Sequence, residues 1–312
     1  MNGSAYFAIN YECNNNCLFC PNRSDKYKGA LDFVEFKKSL DTMMSKSSLT
    51  HITISGGEPT LNKDFIRIMK YVTEMGVSVL LFSNSIKFSD EDFIEEFAYT
   101  INPKKIMISS PIHSCEQYIH DSTTQIPGSF EKTVQGIKNL INKNYTVSIK
   151  NCINKLNYRQ LDEYINFVIN EFPSVRNIGL YGLDYCGTND EKNKKVKVKF
   201  SEIAPYLEKA LENFGKKKSK HKVTVYDTPL CIVKPKYWKY FSDNKFKISS
   251  ARSSPDTRIS ENGKVEFSIP NQCGTFSLKC KECIAEDCCQ GTWKSSWELL
   301  GDQDIKSIVY NG

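Results

Sequence analysis

Three cysteines, Cys13, Cys17 and Cys20, lie in one short segment with the spacing C-x3-C-x2-C, just after an apolar run that begins at Tyr6. Iron–sulfur clusters are held by cysteine thiolates, and a 4Fe–4S cube usually takes four of them. Three thiolates on one loop can therefore ligate three irons and leave the fourth iron open to another molecule. A zinc site would need a fourth Cys or His nearby, whereas the next cysteine is Cys115. A disulfide would leave an odd thiol.

A second motif, Gly56-Gly57-Glu58-Pro59, follows a β-rich run over Thr50–Ser55 and precedes a helical pattern of apolar residues. Glycines at a strand-to-helix turn let the backbone approach a ligand closely, and the Glu58 carboxylate offers an acceptor for a ligand ammonium group. On its own, this motif could be an ordinary turn between a strand and a helix. Its position one strand–helix unit after the cysteines favours a shared site.

Together, the two motifs resemble those of the radical SAM superfamily. In that family the open iron is chelated by the amino and carboxylate groups of S-adenosylmethionine (SAM), and the Gly-Gly-Glu-Pro segment binds the methionyl amine. The resemblance implies a 4Fe–4S cluster on Cys13, Cys17 and Cys20, with SAM as a second cofactor. It also implies that one electron from a flavodoxin- or ferredoxin-like donor cleaves SAM to methionine and a 5′-deoxyadenosyl radical, which abstracts a hydrogen from the substrate.

The composition is that of an ordinary soluble globular protein, with 312 residues, 40% of them hydrophobic and 25% charged. No apolar run approaches the length that spans a membrane, and the N-terminal residues lack the features of a signal peptide. Twelve cysteines in such a chain indicate metal binding rather than disulfides. We therefore expect a cytoplasmic protein with no membrane partner.

The net charge of +6 is concentrated in two lysine-rich runs, residues 192–199 and 216–222. We interpret these runs as solvated linkers or helix ends, and the alternative is a weak surface for an acidic partner. No aromatic residues interleave the lysines as a base-stacking platform requires. We therefore expect no nucleic acid partner.

The chain from residue 5 to about 185 alternates strand-like and helix-like patterns, which predicts a parallel sheet with helices outside it. We predict an α/β fold with a partial (β/α)6 barrel over residues 1–200, as the resemblance also implies, and a small α+β auxiliary-cluster domain over residues 201–312. An Asn-Gly pair at 262–263 predicts a β-hairpin in that second part. The six predicted barrel strands are Tyr6–Glu12, Thr50–Ser55, Val77–Ser83, Lys105–Ser110, Thr146–Asn151 and Asn177–Tyr181.

Ligands of such sheets bind at the carboxyl ends of the strands, and both motifs fall at such ends. Other polar residues also lie at or next to these ends, and the resemblance implies that they contact SAM. For each of them the alternative is ordinary turn chemistry. These residues are Ser83, Asn84, Ser109, Asn151 and Tyr181.

A second group of cysteines, Cys280, Cys283 and Cys289, has the spacing C-x2-C-x5-C. It resembles the C-terminal auxiliary-cluster region of radical SAM enzymes, which is called the SPASM domain or, in a shorter form, the twitch domain. With Cys231 from upstream, these residues could fully ligate a second 4Fe–4S cluster. A full SPASM domain holds two clusters on seven cysteines, whereas six cysteines follow residue 200 here, so we predict the one-cluster twitch form.

Three alternatives stay open for this second group. Cys273 could replace Cys231 as the fourth ligand, and Cys288 could shift the register by one residue. A zinc ribbon would also use C-x2-C followed by a further cysteine.

The substrate is less constrained. The resemblance implies either maturation of a ribosomally synthesised peptide, by crosslinking, epimerisation or oxidation, or dehydrogenation of a small molecule. We expect a peptide, which would need a separate leader-recognition protein or a groove of the barrel, because no leader-binding domain precedes the first predicted strand. A non-catalytic metal-binding module is disfavoured, because the Gly-Gly-Glu-Pro motif would then have no role.

Three further cysteines, Cys115, Cys152 and Cys186, fall at or just past predicted strand ends. A thiol there could give a hydrogen atom to a substrate radical, as an epimerase requires, and Cys152 and Cys186 are the better candidates. The alternative is that they are small buried apolar residues, as is common for cysteines outside disulfides.

Overall fold

A computed structural model describes residues 3–23, 29–46, 48–242, 256–259, 265–268 and 273–309. Its main feature is a sheet in which seven strands are parallel and hydrogen-bonded in chain order. The α/β fold predicted from the sequence is therefore confirmed. The strands are β1 (Gly3–Ala8), β2 (Leu49–Ser55), β3 (Ser78–Phe82), β4 (Ile106–Pro111), β5 (Thr146–Ile153), β6 (Asn177–Gly182) and β7 (Lys222–Tyr226).

The run of parallel strands that neighbour one another in chain order has one strand more than the six predicted. Strand β7 pairs with β6 and lies after residue 200, so the sheet extends past the predicted domain boundary. The division into two domains itself stays a prediction. The predicted hairpin is present as β8 (Asp256–Ile259) and β9 (Val265–Ser268), which pair antiparallel beside β1, while its Asn-Gly turn lies outside the described residues.

Helices connect the strands, and local sequence signals begin several of them. Asp32 and Glu35 form a capping box before α1: Asp32 N donates to Glu35 Oε2 (3.2 Å), and Glu35 N donates to Asp32 Oδ1 (2.9 Å). The Asp121 carboxylate accepts from the backbone N–H groups of Gly128 and Phe130 (both 2.8 Å) and so holds the start of α5. The helices are α1 (Phe33–Lys46), α2 (Phe65–Glu74), α3 (Glu91–Thr100), α4 (Gln117–Thr124), α5 (Ser129–Asn142), α6 (Leu161–Glu171), α7 (Asp190–Val196) and α8 (Phe200–Gly215).

The sheet has one face under the helices and one open face, as the alternation along β5 illustrates. Val147 and Ile149 are buried, whereas Lys150 and Cys152 alternate with the buried residues and are only half-buried. The Lys150 ammonium lies 4.4 Å from the centre of the Tyr181 ring, on the neighbouring strand β6. The open face is therefore the side on which a ligand can lie against the strands.

The C-terminal segment packs against the carboxyl ends of β6 and β7. It contains β10 (Cys273–Thr275), β11 (Thr292–Trp293) and α9 (Lys294–Leu300). Trp293 Nε1 donates to Gly182 O (3.2 Å), and the Asp227 backbone N–H donates to Gln290 Oε1 (2.9 Å). None of the described helices is both long and apolar enough to cross a membrane. The expected cytoplasmic location stays a prediction.

Candidate functional site

The cysteine segment and the Gly-Gly-Glu-Pro motif lie side by side, joined by backbone hydrogen bonds. Gly57 N donates to Asn10 O, and Glu58 N donates to Glu12 O, both at 2.7 Å. A Cβ on Gly56 would lie 2.2 Å from Asn10 O, and a Cβ on Gly57 would lie 2.2 Å from Glu12 O. The two glycines thus permit a close approach to the chain that leads into the cysteine loop, where the sequence had suggested a close approach to a ligand.

Glu58 is buried and binds four hydrogen-bond donors. Its Oε1 accepts from Thr60 N (3.2 Å), Thr60 Oγ1 (2.7 Å) and Ser83 Oγ (2.7 Å), and its Oε2 accepts from Asn84 N (2.7 Å). Burial raises the pKa of Glu58, and these hydrogen bonds oppose that shift. Because Oε2 accepts one of these bonds and Oε1 three, Oε2 keeps the greater capacity to accept a further hydrogen bond, such as one from an ammonium group.

Asn84 connects the end of β3 to the cysteine loop. Its Nδ2 donates to Asn14 Oδ1 at 2.7 Å and lies 3.9 Å from Cys13 Sγ. Ser83 and Asn84, which were predicted to contact SAM, therefore lie beside Glu58 and beside the first cysteine. This places predicted ligands of both cofactors within one cluster of side chains.

The cysteine loop is anchored from outside by α4. Asn16 N donates to Thr124 O (2.8 Å), and Leu18 N donates to Thr123 O (3.0 Å). Burial raises the pKa of the Cys17 thiol, and the nearby Cys20 and Cys13 raise it further, so the three thiols share one small region. Such a half-buried set would bind as thiolates to a cationic group, and three neighbouring thiols suit three irons of one cube.

The two predicted hydrogen donors lie in different environments. Cys152 is on the open face, and the pKa of its thiol is raised by burial, with Lys150 lowering it and Asp227 raising it further. Cys152 packs against the apolar cluster that contains Leu18 and Phe19, which lie between Cys17 and Cys20. Cys186 is exposed, and its thiol donates to Asp184 Oδ2 at 3.1 Å. The structure brings Cys152 to the cysteine loop and leaves Cys186 at the surface.

The remaining predicted SAM contacts differ in how they are placed. Asn151 is buried on the helix side, where its Nδ2 donates to Ile112 O (3.2 Å) and His113 O (3.1 Å). Its amide thus ties β5 to the chain after β4. Ser109 is buried opposite Phe82 in the register of β3 and β4. A role in SAM binding for these two residues stays a prediction.

Lys150 is a site residue that the sequence reasoning missed. Its ammonium lies over the rings of Tyr181 (4.4 Å) and Phe82 (5.6 Å), and Tyr181 in turn stacks on Tyr226 with ring centres 4.4 Å apart. Burial raises the pKa of Tyr181 well above its ordinary value, so its ring stays neutral. Side chains alternate between the two faces along β5, which puts Lys150 on the same face as Cys152. The sequence alone could therefore have pointed to Lys150.

The second group of cysteines surrounds one cavity. Cys231, Cys280, Cys283 and Cys289 all line it, and these are the four residues predicted to ligate an auxiliary cluster. Backbone N–H groups approach the sulfurs: those of Leu230 and Gly291 lie 3.4 Å from Cys289 Sγ, and that of Ile308 lies 3.5 Å from Cys283 Sγ. Hydrogen bonds of this kind stabilise thiolates, which suits the residues to a cluster.

Of the other two C-terminal cysteines, Cys288 is not among the residues that line this cavity. Cys288 is exposed, and its thiol lies 3.4 Å from Ala285 O. The side chain of Cys273 lies outside what the structure describes. Within the described ranges, no group of three or more Cys, His, Asp or Glu side chains has the close spacing that a single metal ion needs.

A comparison with known protein families identifies the first site. Residues 8–168, which include both motifs, match the model of the Radical SAM superfamily. The chain belongs to the radical SAM superfamily. Membership implies a 4Fe–4S cluster and SAM, and the cysteine loop with its neighbouring Glu58 and Asn84 fits both groups.

Two curated relatives have different activities in their names. The chain is 29% identical over 151 residues to the AdoMet-dependent heme synthase of Methanosarcina barkeri, which covers 48% of this chain and 42% of the relative. It is 25% identical over 187 residues to the antilisterial bacteriocin subtilosin biosynthesis protein AlbA of Bacillus subtilis, which covers 60% of this chain and 39% of the relative. The matches therefore span about two fifths of the length of these relatives.

Solved structures support the fold over nearly the whole chain. Streptococcus suis SuiB bound to its precursor peptide SuiA superposes with a TM-score of 0.66 and 11% identity, covering 99% of this chain and 75% of SuiB. Native anSMEcpe with bound AdoMet superposes with a TM-score of 0.56 and 12% identity, covering 72% of this chain and 64% of that protein.

Proposed function

We propose that this radical SAM protein reductively cleaves SAM and uses the resulting radical to mature a ribosomally synthesised peptide. The SAM chemistry is supported by the junction of the two motifs, where Glu58 and Asn84 lie against the cysteine loop at Cys13. When bound, the cluster and SAM supply a 5′-deoxyadenosyl radical that abstracts a hydrogen from the substrate. The residues of this chain bind these groups and orient the substrate carbon beside them.

In this proposal, Cys13, Cys17 and Cys20 ligate three irons, and Glu58 Oε2 accepts a hydrogen bond from the methionyl ammonium. The substrate lies against the open face, where Lys150, Tyr181 and Tyr226 follow one another across three strands as a cation and two stacked rings. Such a row can bind side chains of a peptide by charge and by contact with the edges of the rings. Cys152 is the thiol on this face that could return a hydrogen atom to a substrate radical.

A peptide substrate is favoured by the relatives whose names concern peptides. These are the subtilosin biosynthesis protein AlbA, two forms of the mycofactocin maturase MftC, and SuiB, which was solved with a precursor peptide. A small-molecule dehydrogenase is the second candidate, since other relatives are a heme synthase and a probable GTP 3′,8-cyclase. A separate leader-recognition protein remains part of the peptide proposal.

We also propose that the C-terminal cavity holds an auxiliary 4Fe–4S cluster of the twitch type on Cys231, Cys280, Cys283 and Cys289. The four thiols around one cavity and the N–H groups directed at two of them support this assignment. A zinc ion in the same cavity is the competing assignment.

The first experiment measures metal and SAM cleavage together. Anaerobically reconstituted protein should carry about eight irons per chain, if both clusters are cubes, and should release 5′-deoxyadenosine from SAM under dithionite. Replacing Cys13, Cys17 and Cys20 by Ala should remove about four irons and abolish cleavage. Cleavage by that variant would contradict the proposed SAM chemistry, and about four irons plus bound zinc in the wild type would favour zinc in the second cavity.

The second experiment concerns the substrate. The enzyme is coexpressed with a short peptide encoded beside its gene, and the peptide is examined by mass spectrometry and by chiral analysis of its residues. Loss of hydrogen or inversion of a residue, absent with the triple Ala variant, is the expected result. An unmodified peptide from an enzyme that cleaves SAM would favour the small-molecule alternative.

A further inference from the structure

The lysine-rich run 192–199 lies directly outside the first cysteine loop. Val196 of α7 is fully buried and packs in one apolar cluster with Leu18 and Phe19, which lie between Cys17 and Cys20. Before α7 the chain also touches this loop, because a Cβ on Gly187 would lie 2.1 Å from the Cys20 carbonyl oxygen. Helix α7 and its neighbouring residues therefore cover the outer side of the loop.

The outward side of this cover is positive overall, because five lysines of residues 192–199 outnumber the exposed Asp190 and Glu191 at the start of α7. Four of the five lysines in the run are exposed, and the fifth, Lys192, is half-buried. Among the described residues, the one ion pair recorded for these lysines joins Lys195 to Glu191, at 3.9 Å and largely exposed to solvent. A pair of that kind neutralises little charge. The exposed lysines are Lys194, Lys195, Lys197 and Lys199.

We propose that this surface, defined by the lysines of residues 192–199, docks an acidic one-electron carrier protein that reduces the group held by Cys13, Cys17 and Cys20. The proposal rests on the proposed function, which requires one electron at that loop for each SAM cleaved. The carrier loses one electron and the cluster gains it, while no atom passes between the proteins. Because electron transfer slows steeply with distance, the carrier must dock close to the loop, and Gly187 and α7 both pack against it.

The second lysine run provides an internal comparison of charge and position. Residues 216–222 lie at the end of α8 and the start of β7, and Lys217, Lys218 and Lys220 are exposed. The cysteine loop follows the carboxyl end of β1, so this second run lies at the opposite end of the parallel strands. Both runs attract an acidic protein at long range, but only the first run is adjacent to the cysteine loop.

The test uses the reconstituted protein and an acidic bacterial flavodoxin as the probe. The patch variant carries Lys192→Glu, Lys194→Glu and Lys195→Glu, and the control variant carries Lys217→Glu, Lys218→Glu and Lys220→Glu. We expect the Kd for flavodoxin to rise about tenfold or more in the patch variant and about twofold at most in the control. Zero-length carbodiimide crosslinks from flavodoxin carboxylates should map by mass spectrometry to Lys192–Lys199.

Two further measurements keep the test decisive. A patch variant with Gln in place of each Glu should show a smaller rise in Kd with an unchanged circular dichroism spectrum, which separates loss of charge from loss of folding. Equal effects of the two Glu variants, or crosslinks that map to residues 216–222, would overturn the docking assignment. Failure of the wild-type protein to cleave SAM under dithionite would instead refute the proposed function, because dithionite needs no docking surface.

Discussion

The carboxylate of Glu58 offers the sharpest test of how the first site binds SAM. Glu58→Gln keeps the size of the side chain but removes its charge. If Oε2 accepts a bond from the methionyl ammonium, the substitution loses a charge-assisted hydrogen bond worth about 1.5–3 kcal/mol. The Kd for SAM should then rise about 10- to 150-fold. Both clusters should be retained, because no cysteine is altered.

The same substitution has a structural cost that can be estimated from the contacts of Glu58. Three donors meet Oε1 and one meets Oε2, so the amide oxygen of the substituted side chain should take the Oε1 position. The amide nitrogen then faces the Asn84 backbone N–H, which loses its acceptor at a cost of about 1–3 kcal/mol. Burial raises the pKa of the Glu58 carboxyl group, which means that its charge is costly to bury. Removing that charge therefore offsets part of the cost of the lost hydrogen bond.

Thr60→Val is the matched control, because it removes a hydroxyl donor to Glu58 Oε1 and keeps the carboxylate charged. It should lower the free energy of unfolding by about 1 kcal/mol with little change in SAM affinity. The assay is equilibrium binding of SAM to the reconstituted proteins, with iron content and thermal unfolding measured in parallel. Unchanged SAM affinity in Glu58→Gln, or an equal loss in Thr60→Val, would show that Glu58 only braces the end of β3.

Three further predictions concern other described residues. Gly57→Ala should abolish SAM binding, because its Cβ would lie 2.2 Å from a backbone oxygen. Gly76→Ala, at φ +76° with open space around it, should cost only about 1–2 kcal/mol of stability. Equal SAM binding by the two variants would contradict the prediction for Gly57. Burial lowers the pKa of His120 to about 4, so the unfolded chain takes up its proton first as the pH falls. The free energy of unfolding should then drop by about 3 kcal/mol between pH 6.5 and 4. In urea titrations, the free energy of unfolding of His120→Gln should depend less on pH than that of the wild type. An identical pH dependence of the two proteins would refute the role of His120. In deuterated buffer with the peptide substrate, Cys152→Ala should remove solvent deuterium from the product while Cys186→Ala should not. Normal turnover of both variants and of Cys115→Ala would exclude an epimerase.

The parts of the fold that the sequence predicted depend on contacts between near neighbours. The six predicted strands overlap β1 to β6, and each rests on a pattern of a few consecutive residues. The capping box that begins α1 likewise joins two residues only three positions apart, Asp32 and Glu35. The two cofactor motifs are also short, and each follows a strand whose alternation is visible in the sequence.

The parts that the sequence did not predict depend on contacts between distant residues. The pairing of Asn84 with Asn14 joins positions 70 residues apart, and neither residue carries a local signal for its partner. The bonds from Ser83 and Asn84 to Glu58 likewise follow from the order of the strands in the sheet. Strand β7 lies within residues 201–312, which were assigned to a second domain, so its pairing with β6 was not predicted.

The ends of β6 and β7 connect the second cysteine cavity to the open face of the sheet. Trp293 Nε1 donates to Gly182 O, and Gly182 directly follows Tyr181. On the neighbouring strand, Tyr226 stacks on Tyr181, and shortly after it Leu230 N donates to Cys289 Sγ. Any group that the cavity holds therefore stabilises the edge of the sheet that carries both rings. In the proposed function, the second cavity would thus act on substrate binding through packing alone, even where it takes no part in electron transfer.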